Sequence, residues 1–277
     1  MAGKTIASGL HTTAYTISAG SYTVTNYGTV SVTNPIAIDF TGEGGVLIDA
    51  GGVTGASTAV AFAAGKANRV ILDPGARFGG LVDGGNTIGA AAYSTLELAS
   101  GTTAGTLTGL GTQFIDFAQV TIDSGASWYL APGSTLAPGI TLTSSGALIN
   151  QGSLGGNGVT LGPGGSLVNL IAGAIDVLGN AVSGAGGAND VINHGGITSN
   201  DGYGVGLPGG GSVTNYQGAM IAGVSGILVS GAPGSTTTTA MVTNAGSITS
   251  NSQGVGVFLD NASGGITNLT GGMIAGY

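Results

Sequence analysis

The sequence predicts an all-β chain folded as a parallel β-solenoid with about three short strands per coil. Three observations predict it. First, an apolar residue, one spacer and an asparagine recur through the second half, at intervals averaging about 24 residues, inside the period range of stacked coils. Second, glycine makes up 58 of 277 residues, with only 7 prolines. That is about three times the usual glycine share, without collagen's period of three. Third, 42% of residues are hydrophobic and 6% charged, which opposes disorder. No apolar run reaches the ~18 residues of a membrane helix, and 5% aromatic content is thin for the girdles of a membrane barrel.

The marker asparagines are Asn150, Asn169, Asn193, Asn215, Asn244 and Asn268, in "LIN", "LVN", "VIN", "VTN", "VTN" and "ITN". In a strand, residues two apart share a face, so apolar residue and asparagine both point into the coil. Stacked inward asparagines can form an amide ladder, each donating to one neighbour and accepting from the other. The alternative is that asparagine sits there because it tolerates left-handed turn geometry. Either role is structural. After each asparagine a glycine-containing turn leads to a second apolar residue. Leu154, Ile197 and Ile248 follow by four positions, and Ile175, Ile221 and Ile274 by six. Both spacings are even, so an extended turn keeps the second residue inward. A third apolar stretch, "GVGL" at 204–207, "GILV" at 226–229 or "GVGVFL" at 254–259, completes each coil.

The first half uses the same material less regularly. "YTVTNYGTVSVTN" alternates Val and Thr around Asn26 and Asn34, and "TLELASG", "GTLTGLGTQFIDFAQVTIDSGASW" and "LTSSGALINQG" continue the series. No linker or charge block interrupts it. "STAVAFAAGKANRV" comes nearest to a helix, but Gly65 and the β-branched Val60 and Val70 oppose one. The chain therefore reads as one solenoid over 1–277, with less regular coils in 1–140 and regular asparagine-marked coils in 141–277.

Twelve acidic residues face four basic ones, a formal net charge of −8. All the fixed cations, Lys4, Lys66, Arg69 and Arg77, lie in the first 77 positions. Nucleic acid binding needs lysine and arginine against phosphates, so nucleic acid is excluded as a partner class. Anionic polysaccharides and anionic membranes are disfavoured for the same reason. The chain has no cysteine, which suits a protein that crosses an oxidising compartment without disulfide trapping.

"LDPGARFGGLVDGGN", "TLELASG", "GTLTGLGTQFIDFAQVTIDSGASW" and the later "GMIAG" and "SGILV" coils resemble the passenger regions of bacterial type V autotransporters. The resemblance covers most of the chain. It implies a right-handed, single-stranded parallel β-helix, carried across the outer membrane by a C-terminal barrel and displayed at the cell surface or secreted. On this reading the chain is a segment of a longer passenger, without signal peptide or translocator barrel. The solenoid's open strand edges then predict end-to-end self-association or fraying of the last coil.

Searches for chemistry end without a catalytic, cofactor or metal set. Some passengers carry a serine protease with a Gly-Asp-Ser-Gly motif. Here "TIDSGAS" lacks the first glycine, and only His11 and His194 exist to complete a triad. "DAG" at Asp49, "DPG" at Asp73, "DGG" at Asp83 and "DSG" at Asp123 share one shape, a strand, then Asp, then Gly two on. Such aspartates start turns. Asp73 and Asp83 are the acid pair to test if glycan-cleaving chemistry exists. "AGGANDVI" around Asp190 matches a calcium repeat only in part and occurs once. Trp128 and Tyr129 are read as packing residues rather than a sugar platform.

The functional expectation is a non-enzymatic, surface-displayed passenger segment, an adhesin or stalk whose partner is a protein or neutral glycan of a host or neighbouring cell. The alternatives are a β-helical enzyme that cleaves neutral polysaccharide, and an ice- or surface-binding solenoid that aligns "STTTTA" and the "TxT" pairs on one face.

Overall fold

The computed structural model describes every residue except 1, 19, 232–236 and 252–253. Among the described residues there is no helix, and 54% of the chain is strand, stacked as a parallel β-solenoid of about 12 turns. One sheet runs the length of the rod. Its twelve strands begin with Ala2–Ile6 and end with Val257–Asp260, each hydrogen-bonded to its counterpart one coil away. Every described strand pairing is parallel. At ~4.8 Å per coil the rod is roughly 55 Å long.

The remaining faces are built differently in the two halves. In the second half, three short strands per coil feed three sheets. The strands Gly105–Leu107 through Ser263–Asn268 form an eight-stranded sheet, and Thr135–Leu136 through Met273–Ala275 a seven-stranded one. In the first half the corresponding faces fuse. The eleven-residue strand Gly52–Phe62 pairs with Thr29–Ser31 at its start and Ile36–Phe40 at its end, and both ends continue onto Arg77–Asp83. This bent sheet includes the start of "STAVAFAAGKANRV", which is strand, in keeping with its β-branched residues.

The core is a set of vertical columns. On the long sheet Val24, Leu47, Val70, Leu96, Val120 and Leu142 stack in register, and the column continues through Val159, Val182, Val205 and Ile227 to Val257. All but the last are buried, each contributing roughly 1.5–3 kcal/mol. Lys4 occupies the first position of the column, opposite Val24. Its ammonium lies 4.9 Å from the Tyr15 ring centroid, within cation–π range. At the other end Ile266 and Met273 are exposed.

The residues that follow each asparagine by four or six positions stack in a single column, Leu154, Ile175, Ile197, Ile221, Ile248 and Ile274. The reason differs from the expected one. The two extra residues of the long form do not extend the strand but form a tight turn. Gly173 N–H donates to Leu170 O (2.8 Å), Ala219 N–H to Tyr216 O (3.0 Å) and Gly272 N–H to Leu269 O (2.9 Å). The turn returns the chain to the same point, so the added length loops outward and leaves Ile171 in solvent.

Candidate functional site

Two arrangements draw the polar chemistry of the chain together, an interior ladder and a surface groove. The ladder is built by the apolar-x-Asn repeat. Asn150, Asn169, Asn193, Asn215 and Asn244 are buried. Each Nδ2 donates to the Oδ1 one coil further on, from Asn150 to Asn169 (2.8 Å), Asn193 (2.9 Å), Asn215 (2.9 Å), Asn244 (2.9 Å) and Asn268 (2.8 Å). In the short-form coils the Oδ1 atoms of Asn150, Asn193 and Asn244 also accept from the backbone of the following turn, at Gly152 N (2.9 Å), Gly195 N (3.1 Å) and Gly246 N (3.2 Å). Ladder and turn are thus one device. It also requires glycine nearby, since a Cβ at Gly173 would meet Asn169 Oδ1 at 2.3 Å.

A shorter ladder lies in the first half. Asn26 Nδ2 donates to Asp49 Oδ1 at 2.6 Å, and the next residue in that column is Leu72. Asp49 keeps the turn bond expected of it, its carboxylate accepting from the Gly51 backbone, but it is also an inward side chain with no exposure, and its Oδ2 has no partner. The signal was Leu47-x-Asp49, one coil after Val24-x-Asn26. Burial pushes its carboxyl up to about 6, against hydrogen bonds from Asn26 and the Gly51 backbone, with the Asp73 charge adding to the rise. The folded value lies above the ordinary 3.8, so protonation stabilises the fold. That contribution is fully present below about pH 4 and is lost as pH rises through about 6, an effect of about 3 kcal/mol. Asp49→Asn is therefore expected to gain up to about 3 kcal/mol on the unsubstituted chain between pH 4 and pH 8. Urea unfolding at both pH values reads this, and an unchanged difference would contradict a buried Asp49 titrating near 6.

The structure does not bring Asp73 and Asp83 together. Asp73 follows a strand of the long sheet, whereas Asp83 ends a strand of the bent sheet. Asp73 and Asp123 open turns, their carbonyls accepting from Ala76 N (3.1 Å) and Ala126 N (3.0 Å), with Gly75 and Gly125 at positive φ. Asp83 Oδ1 caps its own turn at Gly85 N (2.8 Å). The carboxyl pairs actually formed are others. Burial and then the Glu97 carboxylate raise Asp123 above the usual range, against Arg69. Burial and then Asp83 raise Asp116. Neither Glu97 nor Asp123 lines the groove.

Trp128 is buried, its Nε1–H donating to Ala99 O at 2.9 Å. Asp190 accepts from Ser212 Oγ at 2.6 Å. Of "STTTTA", Ser235 and Thr236 lie outside the described residues. The threonine columns Thr121–Thr143–Thr160 and Thr214–Thr243–Thr267 are each three coils high and stand on different sheets.

The groove lies where the bent sheet gives way to the eight-stranded one. The strand Arg77–Asp83 pairs along its length with the preceding coil, but the following strand Phe114–Ile115 meets only Val82 and Asp83. Residues 77–79 therefore have no following strand. Two cavities, about 490 Å³ and about 270 Å³, open on either side of Arg77 and Phe78, which line both. Gln113 braces the gap, its Nε2 donating to Phe78 O and Gly80 O at 2.9 Å each. Phe78 packs edge-on to Phe114, with centroids 5.4 Å apart.

Arg77 is the cation without a structural partner. Lys66 pairs with Glu43, Arg69 with Glu97, and Lys4 covers Tyr15. Arg77 is exposed, and its guanidinium has no carboxylate of the described residues within 4.0 Å. Sequence reasoning missed this site because it depends on a strand that fails to pair, and Gln113 carries no motif. Comparison with known proteins finds no matching family model, no matching curated protein and no matching solved structure.

Proposed function

We propose that the chain is a non-enzymatic passenger segment of the autotransporter type, displayed at or released from a bacterial cell surface, which acts as an adhesin or as the stalk beneath one. The observation that carries the reading is the uninterrupted parallel sheet from Ala2–Ile6 to Val257–Asp260, a rod that holds outward side chains at fixed positions. The resemblance of its repeats to autotransporter passengers supports it, as does the absence of cysteine. Its partner would be a protein or glycan on a host or neighbouring cell, its anchor an outer-membrane barrel in a parent chain. Rods of this kind would also associate end to end through their open strand edges.

The experiment is to incubate the purified chain with a panel of cell surfaces and oligosaccharides and to follow both retention and turnover. Retention without new reducing ends is expected. Glycan turnover that Asp73→Asn or Asp123→Asn abolishes would replace the adhesin reading with the enzymatic one.

A further inference from the structure

We propose that the groove bridged by Arg77 and Phe78 is a binding site for a carboxylate-bearing sugar, a uronic acid residue within a polysaccharide. The inference rests on the adhesin reading and names a ligand class for one site on the rod. It also revises the charge argument. A net charge of −8 over 277 residues describes the average surface, whereas a ligand meets one guanidinium.

Three features carry the assignment. The first is the unpartnered Arg77. A guanidinium presents a planar fork of donors that matches a carboxylate bidentately, and the fold's own carboxylates leave this one unused. The second is the relief around it. Thr29, Gly52 and Arg77 stand in one outward column, and Ser31, Thr54 and Gly79 in the next. Gly52 leaves a notch in which a ring can approach the backbone, beside threonine hydroxyls that hydrogen-bond either way. At Gly79 the Thr54 side chain fills the space that a Cβ would take, 2.7 Å away, so the opening lies at Gly52 and the Thr54 hydroxyl borders it. The third is the half-buried Phe78 ring on both cavities, an apolar wall of the kind that polar-rimmed ligand sites combine with a few placed polar groups.

The same geometry argues against a peptide. An unpaired strand edge ordinarily invites an added strand. Here Gln113 already bonds the carbonyls of Phe78 and Gly80, the acceptors that an added strand would use. Recognition is left to side chains. Because the cavities lie on both sides of Arg77, the site suits a residue inside a polymer rather than a chain end.

The test is calorimetric titration of the full chain with oligogalacturonate and oligoglucuronate, with neutral oligosaccharides of the same length, and with a carboxylate-bearing peptide. Arg77→Gln is compared with Lys66→Gln, which removes the same charge elsewhere on the rod. Arg77 is exposed, so the fold should tolerate its replacement, and circular dichroism checks this. The expected result is that uronate oligomers bind best, that Arg77→Gln weakens them by about tenfold or more, and that Lys66→Gln leaves them unchanged. Equal binding of neutral oligomers, equal loss in both variants, or preference for the peptide would overturn the proposal. If uronates fail while Arg77→Gln still adheres to cells, this site is wrong and the adhesin reading stands. If nothing binds, both fall.

Discussion

Trp128→Ala is expected to destabilise the chain by roughly 3–5 kcal/mol, the range for deleting a large buried aromatic. Trp128 stands between Gly105 and Leu148 in its column. Gly105 is glycine because the indole fills the space above it, and a Cβ there would lie 2.6 Å from the ring. Removing the indole opens a cavity where the eight-stranded sheet begins and leaves the Ala99 carbonyl without its donor. Trp128→Phe should recover much of the packing but not the hydrogen bond, at a cost of about 1–2 kcal/mol. Because this is the only tryptophan, unfolding is followed by circular dichroism in urea. A loss below about 1 kcal/mol for the alanine variant would show that the junction collapses onto the gap.

Asn193→Ala is expected to cost roughly 3–5 kcal/mol, more than its lost surface accounts for, because it orphans its neighbours. The Asn193 Oδ1 accepts from Asn169 and from Gly195 N, and its Nδ2 donates to Asn215 Oδ1, Gly195 O and Met220 O. Asn169 Nδ2 keeps its carbonyl partners at Gly173 and Gly196, so the damage falls on Asn215 Oδ1 and the Gly195 backbone. An interior step should therefore cost more than the last one. Asn268 is exposed and receives a single ladder bond, and Asn268→Ala is expected to cost about 1 kcal/mol. Equal costs at both positions in urea unfolding would mean that the ladder contributes as separate turns and not as a stacked column.

These two residues mark how far the sequence was readable. The asparagine repeat specified its own geometry, because a period-two pattern recurring once per coil leaves few ways to bury the aliphatic residues. The column from Leu154 to Ile274 follows from it, although the long turns reach that column by looping out. Asp49 was half legible: the turn bond to Gly51 follows from the glycine two on, whereas its inward place as the acidic counterpart of an apolar-x-Asn unit shows only when its coil is aligned with that of Asn26. The Arg77 groove was not legible. It depends on where two sheets fail to match, and it brings Gln113 onto the carbonyls of Phe78 and Gly80, beside Arg77, across a register that no local pattern encodes. The Asp73 and Asp83 pairing failed for a related reason. Similar strand ends on different sheets look alike in sequence and lie on different faces.

The central claim is that the asparagine-marked units stack as parallel coils, one upon the next. It is tested most directly by spin-label distances. The chain has no cysteine, so paired cysteines can be placed in the outward column that runs from Ile149 through Val168, Ile192, Thr214 and Thr243 to Thr267. Labels at 149 and 214, 149 and 243, and 149 and 267 should give distances that rise by ~4.8 Å per coil, close to 14, 19 and 24 Å by the same ~4.8 Å spacing. Distances that fail to increase along this series, or that alternate between near and far as hairpins require, would contradict the account.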